Sequence, residues 1–304
     1  MTNRILELLK NLNIDKKTPI LIGNSGGPDS MFLSYILKDY NLILVHVNYH
    51  KRKTSDYDQS LVYEFAKKIN KHFEVLEIKH SEKQSGNFQA IAREERYDFY
   101  KQMAKKYNTN ILFLAHHKDD FLETAIMQEN SKRMPEYWGI KKENQIDNLL
   151  IYRPLLDYFW KDEIKNYMLE NNYEFAIDYT NDLPEYTRNK IRLELKKISV
   201  DKKQLLFDEY NTKNVEKLKQ TKEIKELYDN WKNQDFDCDF LKKQVLKKEL
   251  VFYLIHNNFK NIKLSKNKLE NIILFLESKN RTSKYKLADD IFLYKQKNMI
   301  KYSI

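Results

Sequence analysis

Residues Ile22-Gly23-Asn24-Ser25-Gly26-Gly27-Pro28-Asp29-Ser30 hold the parts of an anion site. Glycines let backbone amides converge, and Ser25 and Ser30 add hydroxyl donors. A helix starting directly after the loop contributes its N-terminal partial positive charge. Asp29 then sits where phosphates would lie, which makes chemical sense if it holds Mg2+ between them. The chain has only five glycines in 304 residues, yet Gly23, Gly26 and Gly27 fall within five positions. Such a cluster marks a backbone that needs unusual freedom. The loop lacks the Gly-Lys-Ser/Thr ending of a Walker A motif, and it is not a GxGxxG turn.

A second group is AlaHisHisLysAspAspPheLeuGluThr, residues 115–124. Asp120 and Glu123 are three apart and share one helix face. Function is one reading of these carboxylates. Another is capping, with Asp119 or Asp120 as the N-cap and acidic groups suiting the first turn. His116 and His117 fit equally as core histidines or, with aspartate, as metal ligands. Arginine is scarce, nine residues against 45 lysines, so each retained arginine is informative.

These residues are positioned by alternating strands and helices. Residues 18–23, 41–47, 73–78 and 110–115 read as buried strands. Residues 29–38, 56–71, 88–106 and a stretch from 119 read as helices. That order implies βαβ units and a parallel sheet covered on both faces. Segment 131–150 is polar and carries no clear assignment beyond a turn at Gly139. Helices are expected at 158–170, 186–198, 205–231, 241–256 and 266–277. Alternation at 283–288, 291–294 and 299–304 suggests a small antiparallel unit. A boundary near residues 200–210 divides the chain into 1–205 and 206–304.

The lone cysteine, Cys238, excludes a disulfide framework, a CxxC zinc or redox motif and four-thiolate iron–sulfur ligation. No apolar run approaches the ~20 residues of a membrane span. The first residues show no signal-peptide pattern, so a cytoplasmic protein is expected. Residues 1–200 carry 31 cations and 29 anions, whereas residues 241–304 carry 15 and 5. A basic C-terminal part suits a polyanion, and it equally suits a solvated lysine surface.

The Ser-Gly-Gly-x-Asp-Ser loop resembles the PP-loop of the N-type ATP pyrophosphatases, with Pro28 at the variable position. The wider set resembles the tRNA(Ile)-lysidine synthetase family. His46-Val-Asn-Tyr-His-Lys-Arg52 is similar to its second-strand motif, with Tyr49 where a histidine is usual. Residues 89–97 match its two-arginine helix, and Arg153-Pro-Leu-Leu156 its Arg-Pro-Leu-Leu motif. Asp178-Tyr-Thr-Asn181 and Arg188-Asn-Lys-Ile-Arg192 match a further region. Six of the nine arginines fall in these segments. Phe121 replaces a common glutamine, and 131–150 lacks the family's glycine- and arginine-rich loop.

The resemblance implies an α/β fold: a parallel, five-stranded-type Rossmann-like PP-loop sheet flanked by helices. A mainly helical, basic tRNA-binding domain with a small β unit would follow it. It also implies a ligase that adenylates C2–O of the wobble cytidine in CAU-anticodon tRNA(Ile). The ε-amine of free L-lysine then displaces AMP at C2, and pyrophosphate is released earlier. ATP and Mg2+ are the implied cofactors. ATP binding would fall to Ser25, Gly26, Gly27, Pro28, Asp29, Ser30, His46, Arg96 and His116, with Asp29 on the metal. Asp29, Asp120 and Glu123 would be catalytic, and Asp120 and Glu123, with Asp178, would bind lysine. Arg52, Arg93, Arg153, Arg188 and Arg192 would contact tRNA or phosphate. In the basic segment Phe252, Tyr253, Phe259 and Tyr285 are open to base stacking or to core packing. No membrane partner is implied, and monomer and homodimer both remain open. Rival readings are a PP-loop tRNA thiolase, an amidotransferase-type GMP or NAD synthetase, and a non-catalytic tRNA-binding protein. The thiolase would need cysteines that the motifs lack, and a binding protein would have lost Asp29 or Ser30.

Overall fold

The computed structural model describes residues 2–50, 54–78, 88–131, 135–176, 187–259, 262, 264–288 and 291–303. The chain divides into two compact units, Met1–Asn211 and Thr212–Ile304. The first unit is built on strands β1 (Ile20–Gly23), β2 (Leu42–Asn48), β3 (His72–Glu77), β4 (Ile111–Leu114), β5 (Glu143–Ile146) and β6 (Leu149–Tyr152). They form one sheet in the order β3-β2-β1-β4-β6-β5, parallel except for the antiparallel edge strand β5. Its helices are α1 (Thr2–Asn11), α2 (Pro28–Ile36), α3 (Ser55–Lys68), α4 (Phe88–Lys106), α5 (Lys118–Asn130), α6 (Lys161–Glu170) and α7 (Thr187–Leu195).

The strands are apolar on both faces because both faces are covered. Ile20, Ile22, Leu42, Leu44 and Phe113 enter one core with Ile5 of α1, Phe32 of α2, Phe65 of α3 and Met168 of α6. The intervening residues Leu21, Ile43, Val45 and Leu112 turn to the other face, against Tyr97 and Tyr100 of α4. Chain order reverses across β1 and β4, since β2 lies on one side of β1 and β4 on the other. Open α/β sheets hold their ligands in the crevice at such a switch point.

The β5–β6 hairpin begins within the unassigned segment 131–150 and runs on to Tyr152. Its turn is Asp147–Asn148, between the paired residues Ile146 and Leu149. Asp147 adopts φ +53°, a left-handed conformation that aspartate tolerates better than most residues. Gly139 also turns with φ +75°, and a Cβ there would lie 2.6 Å from the Phe121 ring. Phe121 is buried against Phe207, so the position where a glutamine is usual joins a satellite core with Trp138, Leu156 and Trp160.

Helix α8 (Val200–Asn233) begins in the first unit and ends in the second. The second unit continues with α9 (Cys238–Lys242), α10 (Lys247–Asn258), α11 (Lys266–Glu277) and the antiparallel sheet β7 (Ser283–Ala288), β8 (Ile291–Gln296), β9 (Met299–Ser303). A single helix over 241–256 is expected from the sequence, and two are found. Leu241 and Leu250 are both fully buried in one core. Nine residues apart, they would face opposite sides of a continuous helix. The break at Lys243–Leu246 re-aims the chain so that both reach the core. Asp237 caps α9 by accepting from Phe240 N–H at 3.0 Å, and Ser265 caps α11 through Lys268 N–H at 3.2 Å.

Candidate active site

The glycine loop leaves β1 at Gly23 and enters α2 through Gly27 and Pro28, a proline at the position where a missing N–H costs nothing. Gly26 has φ +81°, and a Cβ there would lie 3.0 Å from the Asp58 carbonyl oxygen. Asn24, unremarked in the sequence, organises the loop. Its Nδ2 donates to Ser34 Oγ at 2.9 Å, and its Oδ1 accepts from Gly26 N–H at 2.8 Å and Ser30 Oγ at 2.9 Å. The signal available was an asparagine at a strand-to-loop junction, where its side chain can mimic a backbone turn. Ser30 Oγ also accepts from Ser25 N–H at 3.1 Å. His46 is buried, with Nδ1 hydrogen-bonded to Asn24 O at 2.8 Å, so it braces the loop from β2.

Residues 115–124 leave β4 beside this loop. The N-cap of α5 is His117, not Asp119 or Asp120 as the spacing suggests. Asp120 accepts from His117 N–H at 3.1 Å, the reach-back of a third-position acid. Asp119 serves another helix. It accepts from Lys161 N–H at 2.8 Å at the start of α6, and from Lys203 Nζ at 2.9 Å.

His117 joins the two segments. Its Nε2 lies 3.4 Å from Asp120 Oδ2 and 3.6 Å from Asp29 Oδ2, and its Nδ1 lies 3.6 Å from Asp119 Oδ2. Burial opposes its charge, but Asp120, Asp29 and Asp119 outweigh burial and push the imidazole up to about 9. Burial has the opposite result at His116, where it combines with Arg153, Arg188 and His117 to bring the group down to about 4. The adjacent histidines are therefore cationic and neutral at pH 7. Burial would raise Asp120, yet His117, His116 and Arg188 hold it well below the usual carboxylate range.

Glu123 is 1% exposed and saturated by two arginines of α7. Arg188 Nε donates to its Oε2 at 2.6 Å, and Arg192 donates to Oε1 at 2.7 Å and Oε2 at 3.1 Å. Arg188 Nη2 also reaches Asp120 Oδ1 at 3.0 Å. Asp120 and Glu123 thus share a face, and that face meets the arginines assigned from sequence to tRNA or phosphate. Asp29, Asp119, Asp120 and Glu123 are balanced by His117, Lys203, Arg188 and Arg192.

Arg93 and Arg96 lie on α4 beside Tyr97, with guanidinium-to-ring distances of 4.8 and 6.0 Å. Arg153 is buried, and its Nη1 donates to Lys141 O and Asn144 Oδ1, both at 2.7 Å. It clamps the β5–β6 hairpin, a role its Arg-Pro-Leu-Leu setting did not reveal. Arg52 and Asp178 lie outside the described residues. Asp29 Oδ1 is buried without a hydrogen-bond partner.

The PP-loop domain family matches residues 1–198. The tRNA(Ile)-lysidine synthase of Mycoplasmopsis pulmonis is 37% identical over 92% of this chain and 98% of its own length. That of Mesomycoplasma hyopneumoniae is 34% identical over 94% and 96%. Among solved structures, a U34-tRNA thiolase from Methanococcus maripaludis shares the fold with a TM-score of 0.55. It is 16% identical, over 69% of this chain and 76% of that one. Likeness of this extent, on a sheet that brings the PP-loop against the His117–Asp120–Glu123 helix, places the chain in the tRNA(Ile)-lysidine synthase family.

Proposed function

We infer that the protein converts the wobble cytidine of CAU-anticodon tRNA(Ile) to lysidine, using ATP and free L-lysine. The observation that carries this reading is the meeting of the glycine loop with His117, Asp120 and Glu123 at the β1–β4 switch point. The cytosine C2 oxygen is a poor leaving group and attacks the ATP α-phosphorus first, which breaks the bond to pyrophosphate. Loop amides, Ser25, Ser30 and the α2 N-terminus hold the departing phosphates, in the manner of preorganised donors aimed at developing charge.

The unpartnered, buried Asp29 Oδ1 suits an oxygen-seeking cation. Among the described residues no group of three or more acidic, histidine or cysteine side chains could hold a metal. An ion on Asp29 would therefore complete its shell with phosphates and water, as Mg2+ does. When bound, Mg2+ would neutralise charge on the phosphates. His117, cationic and 3.6 Å from Asp29, adds a fixed positive charge at the same place.

The lysine ε-amine then attacks C2 and AMP leaves. Its ordinary pKa is about 10.4, so a proton must be lost before attack. Asp120 and Glu123 meet the amino acid's cationic groups by exchange with Arg188, the more exposed of the two arginines at 39% against 16%. Arg192 stays to hold Glu123. The basic second unit binds the tRNA backbone, and Arg93 and Arg96 present cations toward phosphate.

The test is incorporation of labelled lysine into unmodified CAU-anticodon tRNA(Ile) with ATP and Mg2+, beside Asp29→Ala. Incorporation should fall on the order of 10³-fold in the variant. AMP and pyrophosphate without lysine attachment would mean a different amine or RNA. No ATP cleavage with any tRNA would leave a binding protein.

A further inference from the structure

The segment 241–304 carries 15 Lys and Arg against 5 Asp and Glu, together with the four aromatic residues open to stacking or packing. The structure separates these four. Phe259 is 5% exposed, inside the core of the second unit. Tyr253 packs edge-on against Tyr228 with centroids 5.0 Å apart, and Tyr285 lies 5.4 Å from Phe275. Phe252 belongs to neither arrangement: it is 45% exposed on α10.

Its ring is already half of a stack. The imidazole of His256, one helical turn on, lies 4.0 Å away with the two planes 24° apart. His256 Nδ1 is hydrogen-bonded to Phe252 O at 3.0 Å, which sets the imidazole over the phenyl. His256 is itself exposed. One turn before Phe252, the half-exposed Lys248 lies on the same side of α10, 3.1 Å from Glu270. An aromatic pair held parallel, at the surface of a strongly basic segment, matches the two elements of single-strand binding: a stacking face and nearby cations.

We propose that Phe252 and His256 form a stacking platform for an unpaired base of the RNA substrate, which rests on the tRNA-modifying reading above. Duplex bases already have stacking partners on both faces, so the platform takes a base from a loop, bulge or end. Every base has a π face, so the contact holds a base without reading its identity. The charge of the segment favours this polyanion over a protein partner for the same apolar ring.

The experiment compares full-length wild type, Phe252→Ala and Phe252→Trp for binding to CAU-anticodon tRNA(Ile) transcript across a salt series. Lysine incorporation and sedimentation are run in parallel. Phe252→Ala should weaken binding roughly 5- to 150-fold at every salt concentration. The slope of log affinity against log salt should not change, because no phosphate contact is removed. Phe252→Trp should restore the affinity, and KM for tRNA should rise in Phe252→Ala while kcat and KM for ATP hold. Equal affinity of wild type and Phe252→Ala, with lysine still incorporated, overturns the platform alone. A changed oligomeric state with unchanged RNA affinity overturns it too and gives the face to a second protein. A Phe252-dependent affinity without lysine incorporation leaves the platform standing and removes the lysidine reading.

Discussion

The two halves of the site are held together by different physics. The glycine loop is organised by neutral hydrogen bonds, with Asn24 joining Gly26, Ser30 and Ser34. The α5–α7 half is organised by charge, with Asp120 and Glu123 against Arg188 and Arg192. The loop's one carboxylate, Asp29, faces His117 at 3.6 Å, while the ties that shape the loop carry no charge. In the proposed reaction the second half accepts a cationic amino acid, which calls for buried carboxylates, and these stay ionised only if paired before the ligand arrives. The arginines of α7 supply that pairing.

This difference predicts its largest effect at Glu123. Glu123→Ala leaves two guanidinium groups facing each other, and loss of one partner from a buried ion pair costs about 3–5 kcal/mol. Urea unfolding should show that loss, with Glu123→Gln falling between variant and wild type. A loss under about 1 kcal/mol would mean that both arginines relax into solvent, and the charged half would then be no more coupled than a surface pair.

The pH dependence separates the adjacent histidines. His117 is raised to about 9 from an ordinary value of about 6.5, so its contribution is complete below about pH 6.5. It is lost as pH rises through about 9. His116 is lowered to about 4, so the fold favours its neutral form, and that contribution is lost as pH falls from about 6.5 through about 4. With a chelator present, stability should peak near neutrality, with limbs worth a few kcal/mol each. His117→Gln should flatten the alkaline limb and His116→Gln the acid one. An alkaline limb that survives His117→Gln would place the titrating charge elsewhere.

The neutral half should respond less. Asn24→Ala removes the side-chain hydrogen bonds to Ser34, Gly26 and Ser30 and the weaker one to Met31 Sδ, and leaves Gly26 N–H and Ser34 Oγ without that partner, a loss of about 1–3 kcal/mol. Its midpoint shift should not depend on ionic strength, whereas that of an Arg188→Ala variant should. Thermal unfolding at low and high salt distinguishes them.

How much of this was legible in the residues follows from the range of the interactions. The glycine loop was visible because a glycine-poor chain concentrated three glycines beside Asp29, and the side-chain ties of Asn24 that order it fall within ten residues, although the brace from His46 on β2 does not. The parallel sheet was visible because buried strands are continuous apolar runs. The β5–β6 hairpin was not, since its edge strand, Glu143–Ile146, is polar and its turn uses Asp147 and Asn148 without glycine. The fate of Glu123 was also hidden. Its partners lie 65 and 69 positions away, and spacing along one helix says nothing about them. Asp119 shows the same limit, because its capping target Lys161 belongs to a different helix.

Tyr49 offers the finest test of where the site ends. It stands where the family usually has histidine, directly after β2, so the substitution invites a catalytic explanation. The structure points to packing: Tyr49 Oη donates to Ala92 O on α4 at 2.9 Å, and burial raises its phenol above the ordinary value. A group held neutral and engaged with a backbone carbonyl joins β2 to α4, as His46 joins β2 to the loop. Tyr49→Phe should therefore lose about 1 kcal/mol of stability, one neutral hydrogen bond, with kcat and KM for ATP unchanged. Denaturant midpoints and steady-state kinetics on the same preparation check both halves of that statement. A kinetic defect at unchanged stability would move the border of the site outward from His46 to Tyr49. It would also make the neutral half chemical as well as architectural.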